Sequence, residues 1–198
     1  MKKIIVAVSG ASGVIYGIRL LELISGKAEV HLIITDAAKK VISIETGFSI
    51  KNIERFAGFV YDNKELSAPP ASGSFKFDSM VVIPCSIKSL SAIVNSYGDT
   101  LLVRAADVAL KEKRGLVLCV REMPFHQGHL ELMSKAASRG ATICPPVPGF
   151  YNKPVSIQDM IDFVVGKVMN LIGIEQKVLS QWNVKMCRSC LSEGIEVL

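Results

Sequence analysis

The chain has 198 residues, 49% hydrophobic and 21% charged, a globular mixture sized for one domain. Lys and Arg number 23 against 18 acids, a net charge of +5. These charges are dispersed, without the basic block and interleaved aromatics of a nucleic-acid surface, and suit an anionic small ligand such as a phosphate ester equally well. Mean hydropathy is high, +0.37, yet no apolar run approaches the roughly 20 residues of a membrane span, so the surplus apolar surface points to contacts between copies of the chain.

Residues 4–8 are a short apolar run that reads as a buried strand. With the two lysines before it the run mimics a signal peptide, but it is shorter than a signal core, so a cytoplasmic protein is expected. Ser9-Gly10-Ala11-Ser12-Gly13 follows and opens a helix near 13–25. Small residues there let backbone N–H groups approach a ligand at a helix start, where the dipole favours an anion. The spacing Gly10-x-x-Gly13-x-x-x-Gly17 departs from the Gly-x-Gly-x-x-Gly dinucleotide fingerprint. Alone, the loop is compatible with a nucleotide or flavin site and with a tight structural turn.

A strand over 30–34 leads through Thr35 to a helix over 36–46, with Asp36 read as its N-cap or first-turn acid. Glu45 lies near the end of that helix and reads as surface charge. Residues 62–74 are the longest turn-rich stretch, of the kind that tends to be functional or mobile. A strand over 80–84 runs into Cys85-Ser86-Ile87-Lys88-Ser89, whose hydroxyls and lysine crowd a helix start. That composition suits a bound phosphate, and it also suits simple capping.

A helix over 100–111 and a strand over 116–120 follow, and then Arg121-Glu122. A charged pair directly after buried residues either faces a site or closes a salt bridge. His126 and His129 have no acid or thiol at ligand spacing, so no metal site is expected. A helix over 127–139, a strand over 141–144, the rigid run from Pro145 to Tyr151 and a helix over 156–172 complete the pattern. Alternating strands and helices imply an α/β fold, a parallel sheet covered on both faces, with ligands outside the carboxyl ends of the strands. The five cysteines form no secreted framework, and the first three sit in strand-like contexts that suit buried, reduced thiols. Cys187-Arg188-Ser189-Cys190 supplies half of a zinc site at most.

Taken together, these segments resemble the UbiX-type flavin prenyltransferases. The matches are Ser9 to Gly13 with Tyr16-Gly17, Glu45-Thr46, Pro70-Ala71-Ser72-Gly73-Ser74, Pro84 to Leu90, Arg104 to Val108, Leu110-Lys111-Glu112, Arg121-Glu122-Met123-Pro124, Pro145 to Tyr151, and Trp182. The resemblance implies a Rossmann- or flavodoxin-like three-layer domain over residues 1–182, followed by a tail over 183–198. It implies a homo-oligomer, dodecameric in the family, and no metal. The family joins reduced FMN to dimethylallyl phosphate: flavin N5 takes the prenyl carbon as phosphate leaves, and C6 closes a fourth ring. The product, prenylated FMN, serves UbiD-type decarboxylases.

The resemblance also assigns roles. Gly10, Ala11 and Ser12 line the flavin, with Ser12 near N5. Thr35 and Arg121 contact FMN, and Ser86, Ile87, Lys88 and Ser89 hold its phosphate and ribityl end. Lys111, Tyr151 and Lys167 hold the prenyl phosphate, and Trp182 supplies a π-rich wall. Glu122 works with the departing phosphate as acid or base, and Glu45 supports the site. Position 167 is often Arg in the family, so Lys167 offers a point charge in place of a bidentate fork. The tail with Cys187 and Cys190 matches nothing in the pattern.

Two other readings compete. One is an FMN-carrying, non-catalytic subunit of an aromatic-acid decarboxylase, against which Glu122, Tyr151 and the cation at 167 argue. The other is a peptidyl-cysteine decarboxylase, whose early active-site His and Asn-containing loop are absent: His31 lies within a strand and the loop reads Pro70-Ala71-Ser72-Gly73-Ser74.

Overall fold

The computed structural model describes residues 1–179. Trp182, Cys187, Cys190 and the domain boundary expected at 182 lie outside the described residues. Six parallel strands form one sheet in the order β3-β2-β1-β4-β5-β6. They are β1 (Lys2–Val8), β2 (Ala28–Ile34), β3 (Phe59–Asp62), β4 (Ser79–Cys85), β5 (Gly115–Val120) and β6 (Thr142–Ile143). The helices are α1 (Val14–Ile24), α2 (Asp36–Glu45), α3 (Ile50–Glu54), α4 (Ile87–Val94), α5 (Leu101–Lys111), α6 (Gln127–Ser138) and α7 (Ile157–Leu171).

The central strands carry continuous apolar runs because both faces of the sheet are covered. Val6 and Val8 point into a core shared with α1 and α7. Ile5 and Ala7, one residue out of phase, point into a second core shared with α4 and α5. The run that mimics a signal core is therefore the middle strand of the sheet. Local chemistry sets the helix starts: Ser156 and Asp159 form a capping box on α7, and Thr35 caps α2 by accepting from the Ala38 N–H at 3.1 Å.

Two elements are absent from the sequence reading. β3 is a four-residue edge strand whose Phe59 and Val60 are about half exposed, so it lacks the buried signature of its neighbours. α3 has five residues, too few for a helical period to register. The stretch 62–74 is pinned rather than loose. The Arg104 Nε donates to the Ala71 carbonyl at 3.1 Å, and the Arg114 guanidinium donates to the carbonyls of Phe75 and Gly73 at 2.6 and 2.8 Å.

The strand order reverses between β1 and β4, because β1 connects outward through β2 and β4 outward through β5. In a doubly wound sheet the crevice at that switch, outside the carboxyl ends, is where ligands bind.

Candidate active site

Ser9, directly after β1, is fully buried. Its hydroxyl donates to the Pro84 carbonyl at 2.9 Å and accepts the Ser86 N–H at 2.8 Å. This one side chain ties the first loop to the loop after β4. The β4–β5 ladder shifts register between Val82 and Cys85, a stretch containing Pro84, which has no N–H to give. Ser86 then caps α4: its Oγ accepts the Ser89 N–H at 3.2 Å and donates to Ser89 Oγ at 3.1 Å. The N–H groups of Ile87 and Lys88 occupy the first helical positions and have no intrahelical acceptor.

The first loop presents a second helix start. α1 has no side-chain cap, and Gly13 at its N-cap holds φ 87, the left-handed region that disfavours a side chain. The Gly13 N–H donates to the Glu45 carboxylate at 2.8 Å, so Glu45 is no idle surface charge: it fixes the turn that begins α1. A methyl group on Gly10 would overlap the Cβ of Ala37, so the loop lies flat against α2. Tyr16, one turn into α1, is half-buried. Burial pushes its phenol upward in pKa, and the neighbouring Arg121 charge partly offsets this.

Between these loops lies a cavity of about 340 Å³ lined by Gly10, Thr35, Ser86, Lys88 and Ser89 among others. Its wall also includes Asn63, Asp99 and Thr100. Asn63 caps α5 from a distance, its carbonyl accepting the Leu101 N–H at 2.8 Å and its Oδ1 the Leu102 N–H at 3.0 Å. Asp36 sits in the first turn of α2, paired with Lys39 and Lys64, as the first-turn reading expects.

The remaining candidates fall into separate groups. Arg121 and Glu122 are exposed after β5 and do not bridge each other; the Glu122 carboxylate accepts the Met123 N–H at 3.0 Å. Tyr151 and Lys167 come together around Phe163. The Tyr151 ring meets it edge-on, with centroids 5.5 Å apart, and Lys167 Nζ lies 5.9 Å from its centroid. Lys111 stands apart. It ends α5, about 15 Å along the helix axis from Leu101, and pairs with Glu112 below the Gly73 turn. Within one copy of the chain it does not reach the cavity. Among the described residues no group of three or more His, Cys, Asp or Glu could hold a metal ion, and no helix is long and apolar enough to cross a membrane.

Comparison with known proteins bears on this arrangement. The Flavoprotein family pattern matches residues 1–169. The chain is 51% identical over 180 residues to the flavin prenyltransferase UbiX of Methanocaldococcus jannaschii, covering 91% of this chain and 98% of that protein. The chain belongs to the UbiX flavin prenyltransferases. The UbiX of Escherichia coli K12 is 48% identical over 186 residues, covering 92% and 98%. Among solved UbiX structures, AnUbiX (PadA1), crystallised with FMN and dimethylallyl pyrophosphate, superposes with a TM-score of 0.90 at 40% identity, covering 92% of this chain and 97% of that one. A dodecameric FMN-dependent UbiX-like decarboxylase from Escherichia coli O157:H7 superposes at 0.88, also at 40% identity, covering 91% and 98%. The cypemycin decarboxylase CypD shares only the fold, at 14% identity and a TM-score of 0.61 over 73% of this chain and 83% of that one. For a UbiX protein, then, the sequence reading placed Ser9 and Tyr16 in the matched first motif without giving either a role, and it did not single out Asn63.

Proposed function

We propose that the chain transfers the prenyl unit of dimethylallyl phosphate to reduced FMN, and that the prenylated FMN passes to a UbiD-type decarboxylase. The observation that carries this reading is the open α4 start. Ser86, Lys88 and Ser89 line one cavity at this helix start, beside the N–H groups of Ile87 and Lys88 in the first turn, a set of groups that fits a phosphate monoester. The flat Gly10–Ser12 turn beside it suits the face of a planar ring system.

Reduced FMN bound there supplies two nucleophilic positions, N5 and C6, for the prenyl unit. The chain's own groups do the rest. The N–H groups of Ile87 and Lys88 anchor the FMN phosphate, and Thr35 and Arg121 hold the flavin. Ser12, on the Gly10–Ser12 turn, would handle the proton of the flavin held there. Tyr151 and Lys167 grip the prenyl phosphate, where cationic and phenolic donors stabilise charge that builds as the carbon–oxygen bond breaks. Glu122 exchanges a proton with the departing phosphate. Lys111 joins this group from a second copy of the chain. The exposed Met123, Val147, Phe150 and Val155 beside the site supply the apolar rim on which such a copy packs. A cytoplasmic place of action belongs to the same reading. Retention of Glu122, Tyr151 and a cation at 167 favours catalysis over an FMN-carrying accessory subunit.

The test is anaerobic incubation with reduced FMN and dimethylallyl phosphate, read by the mass of the released flavin. Wild-type protein yields flavin heavier by one five-carbon unit. Glu122→Gln retains FMN but turns over slowly. Unmodified FMN from the wild type, beside a working control enzyme, overturns the reading, and equal loss of FMN binding in Glu122→Gln makes that residue structural.

A further inference from the structure

On the opposite half of the sheet, β5 and β6 bring two thiols side by side. Their register pairs Val117 with Thr142 and Leu118 with Ile143. The Cys144 N–H extends the ladder by donating to the Leu118 carbonyl at 3.0 Å, so Cys119 is the residue alongside Cys144. Both side chains pack in the core shared with α1 and α7, whereas Leu118 and Ile143 point to the other face. Neighbouring strands lie about 4.8 Å apart, inside the Cα separation of about 4.4–6.8 Å that a disulfide requires.

The two thiols are free and unequal. Cys119 is fully buried, while Cys144 is half-buried. The Cys119 thiol hydrogen-bonds towards Cys144, and with the Lys167 cation nearby this brings Cys144 down to about 7. Cys119 is pushed well up by the same bond and by burial. A half-buried, thiolate-rich sulfur beside a buried, protonated one is the arrangement of an attacking and a resolving thiol. Cys85 is fully buried, with its thiol pushed up to about 12, and has neither property.

We propose that Cys144 and Cys119 form a reversible oxidation site, at which hydrogen peroxide attacks the half-buried Cys144 and the buried Cys119 resolves it to a disulfide joining β5 to β6. In the first step the Cys144 thiolate gives an electron pair to peroxide. An S–O bond forms, the O–O bond breaks, hydroxide leaves and Cys144 becomes a sulfenic acid. In the second, the Cys119 sulfur attacks that sulfur, the S–O bond breaks, and the hydroxyl leaves as water with the Cys119 proton. Two electrons from a dithiol reductant reverse the change. Reduced flavin meeting dioxygen releases hydrogen peroxide. Only this source of oxidant rests on the flavin reading; the thiol chemistry stands without it.

The test uses the full-length oligomer carrying Cys187→Ser and Cys190→Ser, so that the tail thiols do not compete. After stoichiometric hydrogen peroxide, alkylation and peptide mapping, two thiols per chain are lost and a linked peptide holds Cys119 and Cys144. Dithiothreitol restores both, and Cys85 stays reduced. Before oxidation, Cys144 alkylates at pH 7 at least about tenfold faster than Cys85. Cys144→Ser leaves Cys119 reduced, and Cys119→Ala leaves a sulfenic acid at Cys144 that dimedone captures. Direct passage of Cys144 to sulfinic acid with Cys119 still titratable overturns the proposal, as does thiol loss no faster at Cys144 than at Cys85. These readouts use no activity assay, so their failure is distinct from a failure of the prenyl transfer.

Discussion

Replacing Ser9 with Ala removes one oxygen from the point where the first and fourth strands meet. That oxygen makes two hydrogen bonds, to the Pro84 carbonyl at 2.9 Å and from the Ser86 N–H at 2.8 Å, in a fully buried side chain. The Pro84 carbonyl keeps a second donor, the Ser9 N–H at 3.2 Å, so its loss is an ordinary bond of about 0.5–1.5 kcal/mol. The Ser86 N–H is left without its acceptor, at about 1–3 kcal/mol. The sum is about 1.5–4.5 kcal/mol, and at about 2–4 °C per kcal/mol for a chain of this size the melting temperature falls by roughly 3–18 °C. Ser86 also caps α4, so FMN affinity falls along with stability. Urea unfolding gives the first quantity and flavin fluorescence titration the second. A loss of stability under about 0.5 kcal/mol, with unchanged FMN affinity, refutes the idea that Ser9 holds the two loops in place.

Gly10→Ala forces a methyl group onto Ala37; the overpacking costs about 1–3 kcal/mol and weakens FMN binding, and an unchanged dissociation constant contradicts the flat-turn reading. His31 is buried against Phe59, Tyr61 and Phe75. Burial lowers its pKa below the ordinary 6.5, and Glu29, pulling the other way, only partly offsets it. The unfolded chain therefore takes up this proton first, and stability declines as pH falls below 6.5 through the lowered folded value. Urea midpoints between pH 8 and pH 5 show that decline in the wild type and a flatter profile in His31→Gln; identical profiles count against it. Lys111→Ala and Tyr151→Phe are each expected to be nearly inactive. If Lys111 serves a neighbouring copy, oligomers assembled from both variants recover about a quarter of wild-type activity, whereas no recovery places both residues in one chain's site.

The sheet was legible where its strands are buried on both faces. The runs at 4–8, 30–34, 80–84 and 116–120 carry continuous apolar residues because helices cover both sides. β3 was not legible: at the edge Phe59 and Val60 are half exposed and nothing obliges an alternating pattern. In the candidate site, sequence exposed residues whose type is demanded locally, such as the glycines at a helix start or the serine that caps one. It placed Ser9 in the first loop without its partner and did not single out Asn63; their partners lie 77 and 39 residues away, and polar character alone has many explanations. Lys111 marks a different limit. The family resemblance supplies its role, but its place at the far end of α5 becomes visible only when the helix is laid against the sheet.

A crystal structure of the protein with FMN tests the central claim most directly. The account predicts the phosphate within hydrogen-bonding distance of the Ile87 and Lys88 N–H groups, with the ring system over Gly10, Ala11 and Ser12. Flavin bound anywhere else, with the switch between β1 and β4 closed by the protein's own side chains, contradicts it.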